Sequence, residues 1–160
     1  ANPDGLARGR SAEGRFNANG VDLNRNWGCN WSAQAVWRDQ PVSAGPRPFS
    51  EPETQALAAL VRQLQPAAVL FYHSAASGVF AGRCDGDHGS ALLAQVLGEA
   101  AGYSYGQPFS AYRVTGTAPS WVDGQGIPAA DVELQSGSDS EFARNLAGVM
   151  ALQRWLAGGG

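Results

Sequence analysis

Two polar side chains lie near the C-terminal ends of predicted strands and could do chemistry there. His73 follows residues 67–72 (AAVLFY), a continuous apolar run that is typical of a buried strand. Glu133 lies near the end of the alternating segment 127–134, where Asp131 shares its face. Ligands of open α/β sheets bind beyond the C-terminal ends of the strands, so both ends are candidates for a site.

Asp131 and Glu133 are two positions apart on that predicted strand, which places them about 7 Å from each other. Repulsion between partly buried carboxylates raises the pKa of one of them, and such a group suits proton transfer. Two such carboxylates destabilise the folded chain unless a cation lies between them. His88 is the only other histidine besides His73, and the two have no metal-ligand spacing, so these residues alone do not predict a zinc site.

A third set of candidates lies in the segment NANGVDLNRNW (17–27) and just before it. Arg15, Asn24 and Arg25 belong to this polar loop. Arginine can bind a carboxylate through two parallel hydrogen bonds, which suits recognition of a substrate. The alternative is a network that only stabilises the loop, for example Arg25 with Asp22, and the chemistry leaves both interpretations open.

The elements that must position these side chains follow an α/β pattern. Residues 1–50 have little periodicity and predict a long functional loop region with one short strand at 21–23. Further predictions are a helix with a capping box at 50–53 and an end before Pro66, a strand at 67–72, a Gly-rich loop at 78–89, a helix at 88–101, a strand at 111–114, a helix at 118–125, a strand at 127–134, and a helix from a second capping box at 138–141 to about residue 156. This alternation predicts an α/β fold with a partial, mixed or parallel sheet flanked by helices, in a single domain over 1–160.

Composition narrows the function classes. Of the 160 residues 44% are hydrophobic, and the net charge of −3 without basic runs argues against a nucleic-acid partner. No apolar stretch reaches the roughly 20 residues of a membrane span. Cys29 and Cys84 either form a disulfide or remain free thiols, and a disulfide would indicate an oxidising compartment, extracellular or periplasmic.

Several short motifs occur in a characteristic order from Asn2 to about Leu156. They are NPDG, GR-x-NANGVDLNRNW, PFSEPETQAL, an apolar strand ending in HS, and GIPA-x-x-VEL. In this order they resemble the zinc metallocarboxypeptidases of the carboxypeptidase A/B type, including the bacterial murein-peptide amidases related to them. The resemblance implies a secreted, bacterial-type metallopeptidase that hydrolyses the C-terminal bond of a peptide or a cell-wall peptide.

The resemblance also implies a role for each candidate side chain. His73 matches one of three protein ligands of zinc, a metal that acidifies water and acts as a Lewis acid. Glu133 matches the general base that activates the attacking water. Arg15 matches the arginine that stabilises charge developing on the scissile carbonyl. The residues that match substrate contacts are Asn24 and Arg25, for the terminal carboxylate, and Tyr112, a mobile ring that closes over the substrate.

One part of the family's site has no counterpart in these residues. The family's other two zinc ligands form a His-x-x-Glu motif upstream of NPDG, and no HxxE occurs in this sequence. Catalytic zinc needs three protein ligands and an open position. We therefore expect an incomplete catalytic domain that is inactive alone, and whose exposed sheet edge allows two copies to associate.

The family's pocket for the C-terminal side chain is lined by residues between Tyr112 and Glu133. In this chain they are Val114, Thr117, Ala118, Pro119 and Asp131. Asp131 would bind an amine, such as that of Lys, Arg or the far centre of diaminopimelate, or else only hydrogen-bond to loop amides or Tyr112. Two other function classes remain open. One is an inactive module that binds carboxylates, and the other is a metal-free glycosidase with paired carboxylates.

Overall fold

Helices and strands alternate along the chain in the computed structural model, which describes residues 2–9, 11–107 and 109–158. The helices are α1 (Pro3–Arg8), α2 (Pro52–Leu64), α3 (Ser90–Ala101), α4 (Ala118–Asp123) and α5 (Phe142–Ala157). The strands are β1 (Ala35–Trp37), β2 (Gln40–Val42), β3 (Val69–Ser74), β4 (Gly78–Ala81) and β5 (Ala129–Leu134). Two 3₁₀ turns cover Ala12–Arg15 and Leu23–Arg25. The predicted α/β fold class is confirmed.

The main sheet has three strands in the order β3-β5-β4. The central strand β5 runs parallel to β3 and antiparallel to β4, so the sheet is mixed. The register pairs His73 with Glu133 and Phe71 with Asp131. Because β3 and β5 run in the same direction, their C-terminal ends meet at one edge, where the sequence predicts the site.

Two apolar clusters cover the two faces of this sheet. Phe71 of β3 packs in the cluster built by Trp27 and Trp121, whereas its neighbour Leu70 packs in the cluster built by Leu93 and its surroundings. Successive side chains of a strand point to opposite faces, so the clusters lie on opposite sides. Helices α2 and α4 contribute to the first cluster, and α3 and α5 to the second.

Three predicted elements differ in the structure. Part of the predicted Gly-rich loop at 78–89 is strand β4, because β5 offers it a partner edge and Val79 becomes buried there. The predicted strand at 111–114 is irregular, since its aromatic ring packs in a cleft. The predicted strand at 21–23 forms only isolated bridges before a 3₁₀ turn begins at Leu23.

Both predicted capping boxes are wrong. The N-caps are Glu51 for α2 and Glu141 for α5, and neither makes a side-chain cap hydrogen bond. The hydroxyl of Ser50 donates to Glu51 at 2.6 Å instead of accepting from the helix. The carboxylate of Glu141 accepts from the hydroxyl of Tyr103 at 2.7 Å. The local motif therefore competes with the neighbouring Glu51 in the first case and with the tertiary donor Tyr103 in the second.

Cys29 and Cys84 form a disulfide, with their Cα atoms 5.8 Å apart. It joins the long N-terminal loop to the loop after β4, beside the cluster of Trp27 and Trp121. The structure thus decides between the two alternatives that the sequence left open. Over the described residues, no helix has the length and apolar character needed to cross a bilayer.

Candidate active site

All seven side chains predicted from the sequence line one small cavity of about 60 Å³. They reach it from two 3₁₀ turns, from β3 and β5, and from an irregular segment before α4. The seven residues are Arg15, Asn24, Arg25, His73, Tyr112, Asp131 and Glu133. The folded chain therefore gathers groups that the sequence separates widely, and their contacts determine what chemistry they allow.

His73, Asp131 and Glu133 form the polar end of the two parallel strands. Nε2 of His73 lies 3.1 Å from Oδ1 of Asp131, and the two groups form an ion pair when the imidazole is protonated. Burial alone would lower the pKa of His73, but the carboxylates of Asp131 and Glu133 outweigh it and raise that pKa. Burial raises the pKa of Glu133 as well, which suits a group that must accept and return a proton.

Two buried carboxylate oxygens lie in this cleft: Oδ1 of Asp131 faces Nε2 of His73, whereas Oε2 of Glu133 has no hydrogen-bond partner among the described residues. A buried carboxylate oxygen without a donor is unfavourable unless a cation or water faces it. These surroundings fit a cation held beside His73. The described ranges contain no group of three or more His, Cys, Asp or Glu side chains that could hold a metal ion. His73 therefore fits one position of a zinc site that requires further ligands.

Buried polar contacts fix the loop that carries the cationic side chains. Asn17, which is 1% exposed, accepts two backbone N–H groups of its own turn and donates to Glu51 at 2.7 Å. Burial would raise the pKa of Glu51, but donors from Ser50, Asn19 and Asn17 outweigh it and lower that pKa. The Asn-rich run is thus a rigid support and not a solvated connection.

Arg15 is held by a partner that the sequence did not assign to it. Its Nε donates to Oδ2 of Asp22 at 2.7 Å, and the side chain of Asp22 is only 2% exposed. The Arg–Asp contact that the sequence offered as an alternative for this loop is present, but with Arg15 and not Arg25 as the partner of Asp22. The ion pair uses one edge of the Arg15 guanidinium, so its two Nη groups remain available to the cleft.

Arg25 is 2% exposed and is oriented by backbone carbonyls. Nε donates to the carbonyl of Val36 at 2.9 Å and Nη1 to the carbonyl of Asn24 at 2.6 Å. The guanidinium also lies beside Tyr112, whose side chain is a further hydrogen-bond partner that opposes loss of its proton. Burial lowers the pKa of Arg25, and the charge of nearby Asp22 opposes that shift. The guanidinium is therefore a preoriented cation on the wall of the cleft.

Asn24 and the backbone of Arg25 are tied to the start of α4. Oδ1 of Asn24 accepts from the backbone N–H of Ala118 at 3.0 Å, which leaves the amide NH₂ as a donor. Gly116 allows this close approach, since it has φ +60° and a Cβ there would meet the carbonyl oxygen of Arg25 and lie 3.2 Å from that of Trp27. The two predicted carboxylate-binding residues are thus positioned together.

Tyr112 belongs to a row of three aromatic rings, of which the sequence predicted only Tyr112 as a site residue. The ring of Tyr112 packs edge-on against Phe109 at 4.9 Å, and Phe109 packs against Phe80 at 5.4 Å. The Cζ atom of Arg25 lies 6.0 Å from the Tyr112 ring centroid. Both phenylalanines line the cleft and were not predicted, because their segments were interpreted as loops.

A second cavity, of about 300 Å³, shares the lining residues Phe80, Phe109, Val114 and Asp131 with the first. Of the predicted pocket residues, Val114, Thr117, Pro119 and Asp131 line it, whereas Ala118 is buried and lines a different cavity. Arg83, which is exposed, also lines this cavity and was missed by the sequence reasoning. The cavity thus carries an acidic group next to the cleft and a cationic group elsewhere on its wall.

Solved structures define the fold class. The chain matches the murein-tripeptide amidase MpaA from Escherichia coli O157 with a TM-score of 0.70 and 28% identity, over 97% of this chain and 64% of that one. It also matches the carboxypeptidase A from Helicoverpa armigera with a TM-score of 0.72 and 20% identity, over 96% of this chain and 49% of that one. The second likeness shows the fold alone. Both describe a zinc-carboxypeptidase-like α/β fold.

The family follows from the sequence comparison. The model of the peptidase M14 family, the zinc carboxypeptidases, matches residues 1–82, about half of the chain, and this chain belongs to that family. Murein peptide amidase A of Escherichia coli K12 is 44% identical over 82 residues, which is 45% of this chain and 32% of the relative. The chain thus matches only part of each relative's length. Members of the family are zinc-dependent hydrolases, in accordance with the zinc cofactor predicted from the motifs.

Proposed function

We propose that this chain forms the substrate side of a zinc-dependent hydrolase that releases the C-terminal residue of a peptide. The observation that supports this most is the single cleft that two arginines share with His73 and the carboxylates of Asp131 and Glu133. His73 would supply one ligand of the zinc ion. Zinc, when bound, polarises the scissile carbonyl group and acidifies water.

The chain's own side chains account for the remaining chemistry. Glu133 takes the proton of the attacking water as the new C–O bond forms, and it returns the proton to the amine as the C–N bond breaks. The Nη groups of Arg15 donate to the carbonyl oxygen, where negative charge develops in the transition state. Arg25 and Asn24 hold the terminal carboxylate, which only a C-terminal residue offers.

The zinc ligands that these residues lack would come from a segment that covers the open edge of β3. In the order β3-β5-β4, strand β3 has a partner on one side only within the described residues, and His73 lies on this strand. Large apolar side chains are exposed on β3 and α5, among them Tyr72 (45%), Phe142 (71%) and Leu146 (48%). A segment paired with β3 would bury apolar surface and bring its ligands next to His73.

The arginine pair gives a direct test of exopeptidase specificity. In the full-length zinc-bound protein, a peptide with a free C-terminus should be hydrolysed and its C-terminal amide should not. Arg25→Lys should lower kcat/KM for the free peptide about 10- to 100-fold, because lysine loses the planar fork of donors. Steady-state kinetics check this, with the exposed Arg154→Lys as control. Equal hydrolysis of the amide would contradict the proposal.

A murein peptide is the substrate class that we propose within this activity. The cavity next to the cleft is lined by Asp131 and Arg83, and so offers one group for an ammonium and one for a carboxylate. A side chain that ends in both, as that of diaminopimelate does, would use the two groups, whereas lysine would use Asp131 alone. The relative named a murein peptide amidase accords with this choice.

Two variants separate these contributions. Arg83→Gln should lower kcat/KM about tenfold for a peptide ending in diaminopimelate and leave a peptide ending in lysine nearly unchanged. Asp131→Asn should reduce both, because each offers an amine. Competition assays with the two peptides measure the ratio of their kcat/KM values. Arg154→Gln serves as the control for a lost surface charge. If Arg83→Gln leaves the ratio of the two kcat/KM values unchanged, the proposal that Arg83 and Asp131 bind the carboxylate and the ammonium of one side chain is contradicted.

We also propose that the protein works outside the cytoplasm, in an extracellular or periplasmic compartment. The disulfide between Cys29 and Cys84 supports this, since disulfides persist in oxidising compartments. A murein substrate would be found in the same place. Fractionation of cells that make the full-length protein tests the location, and recovery in the cytosol with free thiols would contradict it.

The open edge of β3 leads to a prediction about this chain by itself. The 160-residue chain should self-associate at micromolar concentrations, because an uncovered edge strand pairs with another chain. Tyr72→Lys should shift it toward monomer, since a charged side chain on an edge strand opposes pairing. Size-exclusion chromatography with light scattering measures the mass, with Leu6→Lys on α1 as control. A wild-type chain that stays monomeric would contradict this expectation.

A further inference from the structure

Trp37 occupies a position between the site and the hairpin of β1 and β2. The Cζ atom of Arg15 lies 4.7 Å from the centroid of the Trp37 ring, and that of Arg38 lies 4.9 Å from it. The residue before it, Val36, accepts from Nε of Arg25 at 2.9 Å. Two adjacent residues of one strand therefore contact the two arginines that face the cleft.

The hairpin that carries Trp37 is fixed at both of its ends. Val36 pairs with Pro41, and Trp37 with Gln40, across a two-residue turn that begins at Arg38 with φ +49°. At the other end Ala35 is 2% exposed. A hairpin held in this way can keep a ring and a carbonyl at constant positions, which a solvated loop cannot do.

An aromatic face suits the task of holding Arg15. Asp22 already fixes Nε, but a carboxylate also offsets the charge of the guanidinium. The ring of Trp37 attracts the cation through its π electrons and takes no N–H group away from it. The Nη groups therefore stay available to the oxygen of a scissile carbonyl, while the side chain loses freedom before substrate binds.

We propose that Trp37 is a positioning residue for Arg15, and that β1 orients both arginines, one through the Trp37 ring and the other through the Val36 carbonyl. This inference rests on the proposed role of Arg15 in the transition state. It adds a residue that the motifs do not contain and that acts only through another side chain. Its loss should therefore affect kcat more than KM.

A double-mutant cycle tests the positioning role in the full-length zinc-bound protein. Trp37→Leu should lower kcat about 5- to 30-fold and change KM less than about threefold. Trp37→Phe should restore most of the activity, because it keeps an aromatic face. In an Arg15→Lys background Trp37→Leu should cost much less, since the group it positions is gone. Full additivity of the two losses would overturn the proposal.

The matched control is Trp31, an indole of the same loop region. Its N–H donates to the carbonyl of Ala44 at 3.1 Å, and the cation–π contact of Arg15 is with the Trp37 ring. Trp31→Leu should leave the ratio of kcat to KM close to that of the wild type. A fall in kcat equal to that of Trp37→Leu would mean that loss of either indole lowers activity through the stability of this loop region, and it would overturn the positioning role.

A second measurement does not depend on activity. In nitrogen-15 spectra of the arginine side chains, the Hε signal of Arg15, assigned by its loss in Arg15→Lys, should be shifted by the ring current of Trp37. Trp37→Leu should remove that shift and Trp31→Leu should not. A shift that persists in Trp37→Leu would refute the contact. If the shift behaves as expected but wild-type protein hydrolyses no peptide, the proposed function fails and the contact stands.

Discussion

Glu133→Gln should nearly abolish hydrolysis, with kcat falling by about 10²- to 10⁴-fold in the full-length zinc-bound protein. The amide cannot take the proton of the attacking water, whereas Arg25 and Asn24 still bind the terminal carboxylate, so KM should change little. Oε2 of Glu133 accepts no hydrogen bond from the described residues, so the variant gives up no bond at that atom. Steady-state kinetics with measured zinc content provide the test.

Two controls make this result specific. Glu13→Gln removes an exposed carboxylate of the N-terminal region and should behave as wild type. Thermal unfolding of Glu133→Gln should occur near the wild-type temperature, because glutamine keeps a side-chain oxygen that accepts from the backbone N–H of Ala76. If kcat falls less than tenfold while zinc stays bound, Glu133 is not the base. Asp131, the neighbouring carboxylate on the same strand, would then take that place and Asp131→Asn should show the loss.

The strand ends of the site could be predicted because their signals are local. The run before His73 is continuously apolar, and the segment that holds Glu133 is largely apolar with carboxylates two residues apart, so each predicts a strand without knowledge of the rest. The rule that parallel strands present their C-terminal ends together then brings the two residues to one edge. The register in which His73 is opposite Glu133 is the consequence.

The walls of the cleft could not be predicted in the same way. Strand β4 contains Phe80 between glycine-rich segments, and it forms only because β5 has a free edge. Arg83 follows that strand, and because the strand was not predicted, the position of Arg83 beside the cavity was not predicted either. The contact of Trp37 with Arg15 could not be predicted for a related reason, since the whole Asn-rich loop separates the two residues in sequence. These positions depend on pairing partners that are distant in sequence, which no short window contains.

Helix starts failed through competition between local and tertiary partners. Ser50 has the residue type and spacing of a cap, yet its hydroxyl donates to Glu51, which in turn accepts from Asn17 and Asn19. A hydrogen bond from the Ser50 hydroxyl to a charged carboxylate is stronger than one that the same hydroxyl would accept from a backbone N–H at the helix start. The same asparagines that mark the family therefore account for the misplaced helix start.

Removal of the disulfide should lower the free energy of unfolding by about 4 kcal/mol, a value that follows from loop entropy for a sequence separation of 55. For a chain of this size that corresponds to roughly 8–16 °C in the unfolding temperature. Cys29 is 4% exposed and packs among tryptophans, so Cys29→Ser combined with Cys84→Ser also places hydroxyls against apolar surface. The double Ala variant avoids that second cost and is the better measure of the crosslink.

A reductant distinguishes the stabilisation that comes from the crosslink from the stabilisation that comes from packing of the cysteine side chains. Dithiothreitol should lower the unfolding temperature of the wild type toward that of the double Ala variant and leave the variant itself unchanged. A difference below about 3 °C between oxidised and reduced wild type would contradict the predicted stabilisation. The loop released by reduction carries Arg83, whereas Arg25 stays fixed by Val36 and Asn24. Selectivity for a dipolar side chain should therefore decline in reduced protein before hydrolysis of the peptide bond does.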